Sequence, residues 1–154
     1  MSAYSSSIVP YLSDGKGGFK PAAAFQGSFN YSVPTVTDLN GDGKLDVLWS
    51  TGPRVNLGNG DGAFSAITQY DPGYDSNCAF GDVDHDGHLD AVCTWIDDLD
   101  IDGYIHLTVL HGNPDGSFNK TPLFSRTFGN GEQEYDGFST IVSPVLVADL
   151  NGDG

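Results

Sequence analysis

Val36-Thr37-Asp38-Leu39-Asn40-Gly41-Asp42-Gly43-Lys44-Leu45-Asp46-Val47-Leu48 sets side-chain oxygens at loop positions 1, 3, 5 and 9 between two short apolar runs. Gly43 at position 6 permits the sharp turn that aims the position 7 carbonyl, that of Lys44, inward. Oxygen donors converging in this way suit a hard cation that takes six to eight oxygens at flexible geometry, which is Ca2+. A metal-free loop held by Asx turns is the competing reading, but clustered carboxylates repel one another without a cation. Position 12 carries no Glu and neither flank has a helical period, so the loop joins strands, and Leu45 is expected to anchor it to a core.

The stretch returns as Phe80-Gly81-Asp82-Val83-Asp84-His85-Asp86-Gly87-His88-Leu89-Asp90-Ala91-Val92, where Asp82, Asp84, Asp86, the His88 carbonyl and Asp90 fill the same positions and Leu89 the anchor. A third copy begins at Val147 and offers Asp149, Asn151 and Asp153 without positions 7 and 9. Two full Ca2+ sites and a partial third are expected. Asp98, Asp100 and Asp102 copy the first half of the pattern, with His106 where the closing Asp belongs, which leaves a weak site or a solvated acidic loop.

A second element recurs between these loops as Ser13 to Phe19, Gly58 to Phe64 and Gly112 to Phe118, each a Gly/Asp-rich turn closed by Phe, as at a hairpin tip. One unit therefore reads strand, acidic loop, strand, connection, strand, Gly-rich turn, strand. Four short antiparallel strands make a propeller blade, and the chain is expected to be all-β. The order assigns 1–32 to strands two to four of a split blade, 33–75 to a blade and 76–128 to a blade with an acidic insertion. Residues 129–154 become a linker plus the first strand and half loop of the split blade. Aligning Phe19 on Phe64 puts Met1 on Asp46, while Gly154 aligns on Gly43. A propeller closes with about four to eight blades. Three repeats then imply either a piece of a longer chain or a homo-oligomer, such as a dimer of six blades, that completes the split blade between copies.

Composition agrees. The 154 residues carry a formal charge of -15, which disfavours nucleic acid as a partner. Of the 21 acids only Glu132 and Glu134 are Glu, and an excess of the shorter carboxylate fits tight loops folded around positive charge. Twenty-one Gly and eight Pro mark a turn-rich chain, while 9 Phe, 7 Tyr and 2 Trp supply core bulk and argue against disorder. No apolar run reaches the roughly 20 residues of a membrane-spanning helix.

Strand, D-x-[DN]-x-D-G-x-L-D, strand, then a Gly/Asp turn with Phe resembles the FG-GAP or VCBS repeat family, and Phe80-Gly81 stands where that family often has its name-giving pair. The resemblance implies propeller blades with a Ca2+ clamp between the first and second strands. It names no ligand, because such blades occur in adhesion receptors, lectins and appendages of extracellular carbohydrate-active enzymes.

Cys78 and Cys93 lie almost symmetrically about Asp86, so a cross-strand disulfide is feasible beside the alternative of two buried thiols. A disulfide, calcium loops and the sequons at Asn30 and Asn119 fit a secreted, extracellular setting. His85-x-x-His88, His106 and His111 lack further zinc-ligand spacing, and no nucleophile elbow or linked Ser/His or Cys/His pair is visible, so catalysis is not expected. Tyr70, Tyr74 and Tyr135 fall in loops and are candidates for contact with a ligand. The expected role is binding, through the loops, to a glycan or a protein. An appendage of a secreted carbohydrate-active enzyme and a self-assembling propeller block are the alternatives.

Overall fold

The computed structural model describes residues 5–28, 34–73, 76–96, 105–128 and 146–148. The described residues are all-β, with no helix among them. Strands β1 (Ser5–Ile8) and β4 (Phe25–Ser28) pair antiparallel, and between them β2 (Tyr11–Ser13) and β3 (Phe19–Pro21) form a hairpin around the Asp14–Gly18 turn. A four-stranded antiparallel sheet follows, β5 (Pro34–Thr37), β6 (Asp46–Trp49), β7 (Arg54–Asn56) and β8 (Thr68–Gln69), in sequence order. A second one comprises β9 (Asn77–Gly81), β10 (Asp90–Ile96), β11 (Ile105–Leu110) and β12 (Phe124–Phe128), again in order. Each sheet is a meander, its strands paired antiparallel with their neighbours in sequence order. Among the described residues the sheets are open and none closes on itself.

The three layers stack through side chains. Asp46–Trp49 is buried at every position, as a strand covered on both faces must be. On one face Val47 and Trp49 meet Phe25, with Ile8, Phe64 and Ile67 packed around them. On the other, Leu48, Val55 and Tyr70 join Cys78, Ala91, Cys93, Leu110 and Phe118. Aromatic contacts mark both interfaces: Phe25 and Phe64 at 4.5 Å between ring centroids, and Tyr70 edge-on to Phe118 at 5.2 Å. Polar bonds tie the layers as well. Asn56 Nδ2 donates to the Gln26 carbonyl at 3.1 Å while its Oδ1 accepts from Trp49 Nε1 at 3.0 Å, and Arg54 Nη1 donates to Ser28 Oγ at 2.8 Å. Because the buried Asn56 amide is satisfied on both sides, it specifies layer spacing at little cost.

Cys78 and Cys93 are directly opposed on β9 and β10 and form a disulfide, with an S–S distance of 2.09 Å. The loop anchor differs from expectation. Leu89 packs against the core, but Leu45 is 60% exposed. Leu39, at position 2 of the first loop, is buried instead, and its amide is held by Asp46, so the inward-facing apolar contact is made at the start of that loop.

Candidate functional site

The two acidic loops connect β5 to β6 and β9 to β10, and their backbones are folded by the same bonds. In the first, Asp38 Oδ1 and Oδ2 accept from the amides of Asp42 (3.1 Å) and Gly43 (2.9 Å), and Asp42 Oδ1 accepts from Lys44 at 2.9 Å. In the second, Asp82 accepts from Asp86 (3.1 Å) and Gly87 (2.9 Å), and Asp86 from His88 at 2.8 Å. Gly43 and Gly87 sit at φ of 81° and 91°, the left-handed region that the sharp turn demands. Acidic side chains at positions 1 and 5 thus wrap the chain around themselves through Asx-type bonds, each oxygen keeping a further lone pair.

The closing aspartates do something the spacing did not reveal. Asp46 and Asp90 are fully buried. Asp46 Oδ2 accepts from Leu39 N at 2.9 Å and Oδ1 from Gly58 N at 2.8 Å. Asp90 repeats this with Val83 N at 3.0 Å and Gly112 N at 2.8 Å. Each carboxylate is a bracket that clasps the start of its acidic loop to the start of the next Gly-rich turn. The glycine in that turn is required by contact: a Cβ at Gly58 or Gly112 would overlap the carbonyl oxygen of Leu45 or Leu89. Spacing marks both aspartates as metal ligands; the bracket adds a structural role, occupying one lone pair on each oxygen and leaving the others.

Side-chain nitrogens already approach these carboxylates. Lys44 Nζ lies 3.0 Å from Asp42 Oδ2, and the Lys44 side chain, with its amide, holds the Asp42 carboxyl below its ordinary range. His111 Nε2 lies 3.2 Å from Asp84 Oδ2 and 3.2 Å from Asp86 Oδ2. The spacing of His111 in the sequence does not mark it as a ligand. The signal was its neighbour: Gly112 answers Gly58, so the bracket from Asp90 delivers His111 to the rim of the acidic loop. Oxygens of Asp82, Asp84 and Asp90 come within 4.8 Å of one another, as do the ligand atoms of Asp84, Asp86 and His111. This donor set, mostly short carboxylates on a tight turn, fits a hard cation. Asn40 takes part through its Oδ1, which accepts from Asp42 N at 3.1 Å.

Asp149, Asn151, Asp153, Asp98, Asp100, Asp102, Tyr74 and Tyr135 lie outside the described residues. Tyr70, expected in a loop, directly follows β8; its amide bonds the Pro53 carbonyl and its ring is buried against Phe118. Its exposed margin joins Gln69, Asp71, Leu110 and Lys120 around a cleft of about 270 Å3. Burial lowers the Arg54 guanidinium from its usual range, and nearby Asp71 partly restores it.

Residues 1–49 match the FG-GAP-like repeat family. The match takes in β1 to β5, the first acidic loop and all of β6, and so includes both the Gly-rich turn and the D-x-N-x-D-G-x-L-D loop. An FG-GAP-like repeat points to a β-propeller-type module. No curated protein and no solved structure matches the chain. Among the described residues no helix is long and apolar enough to cross a membrane.

Proposed function

We propose that the chain is part of an extracellular, Ca2+-stabilised β-propeller in which each four-stranded meander is a blade, and that it binds a glycan or protein ligand without catalysing a reaction. The observation that carries this reading is the repetition of one loop bonding scheme, with its buried aspartate bracket, at Asp38–Asp46 and Asp82–Asp90. Asp38, Asn40, Asp42 and the Lys44 carbonyl would hold one ion. Asp82, Asp84, Asp86 and the His88 carbonyl would hold the other, with Asp46 and Asp90 contributing their remaining lone pairs. The ion supplies positive charge at the centre of a loop whose own carboxylates repel. The chain does the rest: the brackets couple each loop to the following Gly-rich turn, so a loop ordered by its ion presents a fixed rim.

The Cys78–Cys93 disulfide supports an oxidising, extracellular compartment. For the ligand, the cleft at Gln69, Tyr70, Asp71 and Lys120 combines an aromatic margin with hydrogen-bonding groups of both signs, which suits a hydroxyl-rich or polar partner.

The test is thermal unfolding in calcium and in excess chelator, with titration calorimetry. Binding to the native loops raises the melting temperature by mass action, and about two ions per chain should be taken up by the complete loops. A melt that is unchanged by chelator, together with no calorimetric signal, would refute the calcium reading.

A further inference from the structure

The internal layer joints repeat one contact set, and its two halves stand uncovered on the outer layers. Phe19, Phe64 and Phe118 occupy equivalent turn positions, and each is followed six residues later by an aromatic: Phe25, Tyr70 and Phe124. At each internal joint the turn Phe of one layer packs on the later aromatic of the layer before it, Phe64 on Phe25 and Phe118 on Tyr70. The turn glycines do the same. A Cβ at Gly62 would lie 2.9 Å from Leu12 Cδ1, and one at Gly116 would lie 3.1 Å from Leu57 and 3.3 Å from Leu39.

Among the described residues, the equivalent rings of the outer layers have no aromatic partner. Phe19 is 67% exposed where Phe118 is 4%, and Phe124 is 46% exposed where Tyr70 is 8%. Val83, equivalent to the buried Leu39, is 37% exposed. A Cβ at Gly17, the counterpart of Gly62 and Gly116, would meet nothing within 4 Å. Among the described residues, Val147 approaches Gly81 on the β9 side of the outer face.

Charge is matched as well. A Cβ at Gly116 would also lie 3.4 Å from Asn40 Cβ, and the residue before Gly116 is Asp115. At the open faces the corresponding residues are Asp84, beside Asp86, and Lys16, with Lys20 on the same hairpin. An acidic rim therefore faces a basic turn in the same register.

We infer that the outer face of the β9–β12 sheet, centred on Phe124 and Val83, docks the Gly17–Phe19 turn of a second copy of this chain, head to tail, reproducing the internal joint. Such a joint is heterologous, so it propagates until the rotation per copy closes a ring. The apolar contact does not depend on bound calcium, whereas the acidic rim of Asp84 and Asp86 is shared with the proposed calcium loop.

The experiment is sedimentation velocity over a concentration series of the wild type, Phe19→Asp and Phe124→Asp. Both rings are substantially exposed in the single chain, so circular dichroism and melting temperature should match the wild type in either variant. The wild type should associate with concentration. Each variant alone should sediment as a 16.3 kDa monomer, the charge buried in an aromatic contact weakening the joint by about 30-fold or more. Mixed in equal amounts, the two variants should form a dimer of twice 16.3 kDa, because each retains the half the other lacks. A wild type that stays monomeric at all concentrations would overturn the proposal in favour of another occupant, such as a further repeat of a longer chain. Variants that still associate alone, or a mixture that does not dimerise, would overturn it equally.

Discussion

Replacing Asp90 with Ala separates the bracket from the metal site. The carboxylate is fully buried and accepts two backbone amides, Val83 N at 3.0 Å and Gly112 N at 2.8 Å. Removing it strands both buried donors, at about 1–3 kcal/mol each, so the total cost should be about 3–5 kcal/mol. Asp90→Asn keeps one acceptor and turns an N–H2 toward the second amide, for roughly half that loss. The assay is urea unfolding in excess chelator with the disulfide intact, reading the midpoint at constant slope. Chelator matters, because a residue that serves only as a metal ligand loses its effect once the metal is gone. Asp86→Ala is the comparison: its side chain is exposed, and its loss should lower stability mainly in calcium. Should Asp90→Ala unfold within about 0.5 kcal/mol of the wild type in chelator, the bracket contributes no stability and the reasoning fails.

Two further outcomes follow from local structure. Reduction of Cys78–Cys93, which closes a separation of 15 residues, should cost about 3 kcal/mol on the loop-entropy account, measurable as a shift in the urea midpoint with and without reductant. Asp14 and Asp115 have carboxyls lowered from 3.8, the first mainly by the Lys16 amide and the second mainly by the Ser117 hydroxyl. Since the folded values lie below the unfolded one, their contribution is present above 3.8 and lost as the pH falls through the folded values. The double variant Asp14→Asn, Asp115→Asn should therefore show a flatter melting temperature than the wild type between about pH 5 and pH 3, a difference read by scanning calorimetry.

Much of this was legible in the residues themselves. Side-chain oxygens spaced two apart, a glycine at position 6 and flanking apolar runs specify a strand–loop–strand locally, because Asx-type bonds and a positive φ are short-range demands that each copy meets alone. The Gly-rich turns closed by Phe are equally local, and together these signals yield the strand order of both four-stranded sheets. The sequence alone also puts Cys78 and Cys93 within reach, since a hairpin centred between them brings equidistant residues opposite each other.

What only the tertiary structure decided depends on contacts between elements. That Asp46 and Asp90 face inward to amides of a separate turn is invisible to spacing, because Gly58 and Gly112 come near only after β7 and β11 have paired with the strands beside them. His111 reaches the second loop by the same pairing. Leu45 and Leu89 are identical in local context, yet one is exposed and the other packs, since burial is settled by which layer lies opposite. Tyr70 looked like a loop aromatic and belongs to a joint, for its partner Phe118 lies in the next sheet, and the uncovered Phe19 and Phe124 are visible as halves of such a joint only because the two internal ones show how they meet.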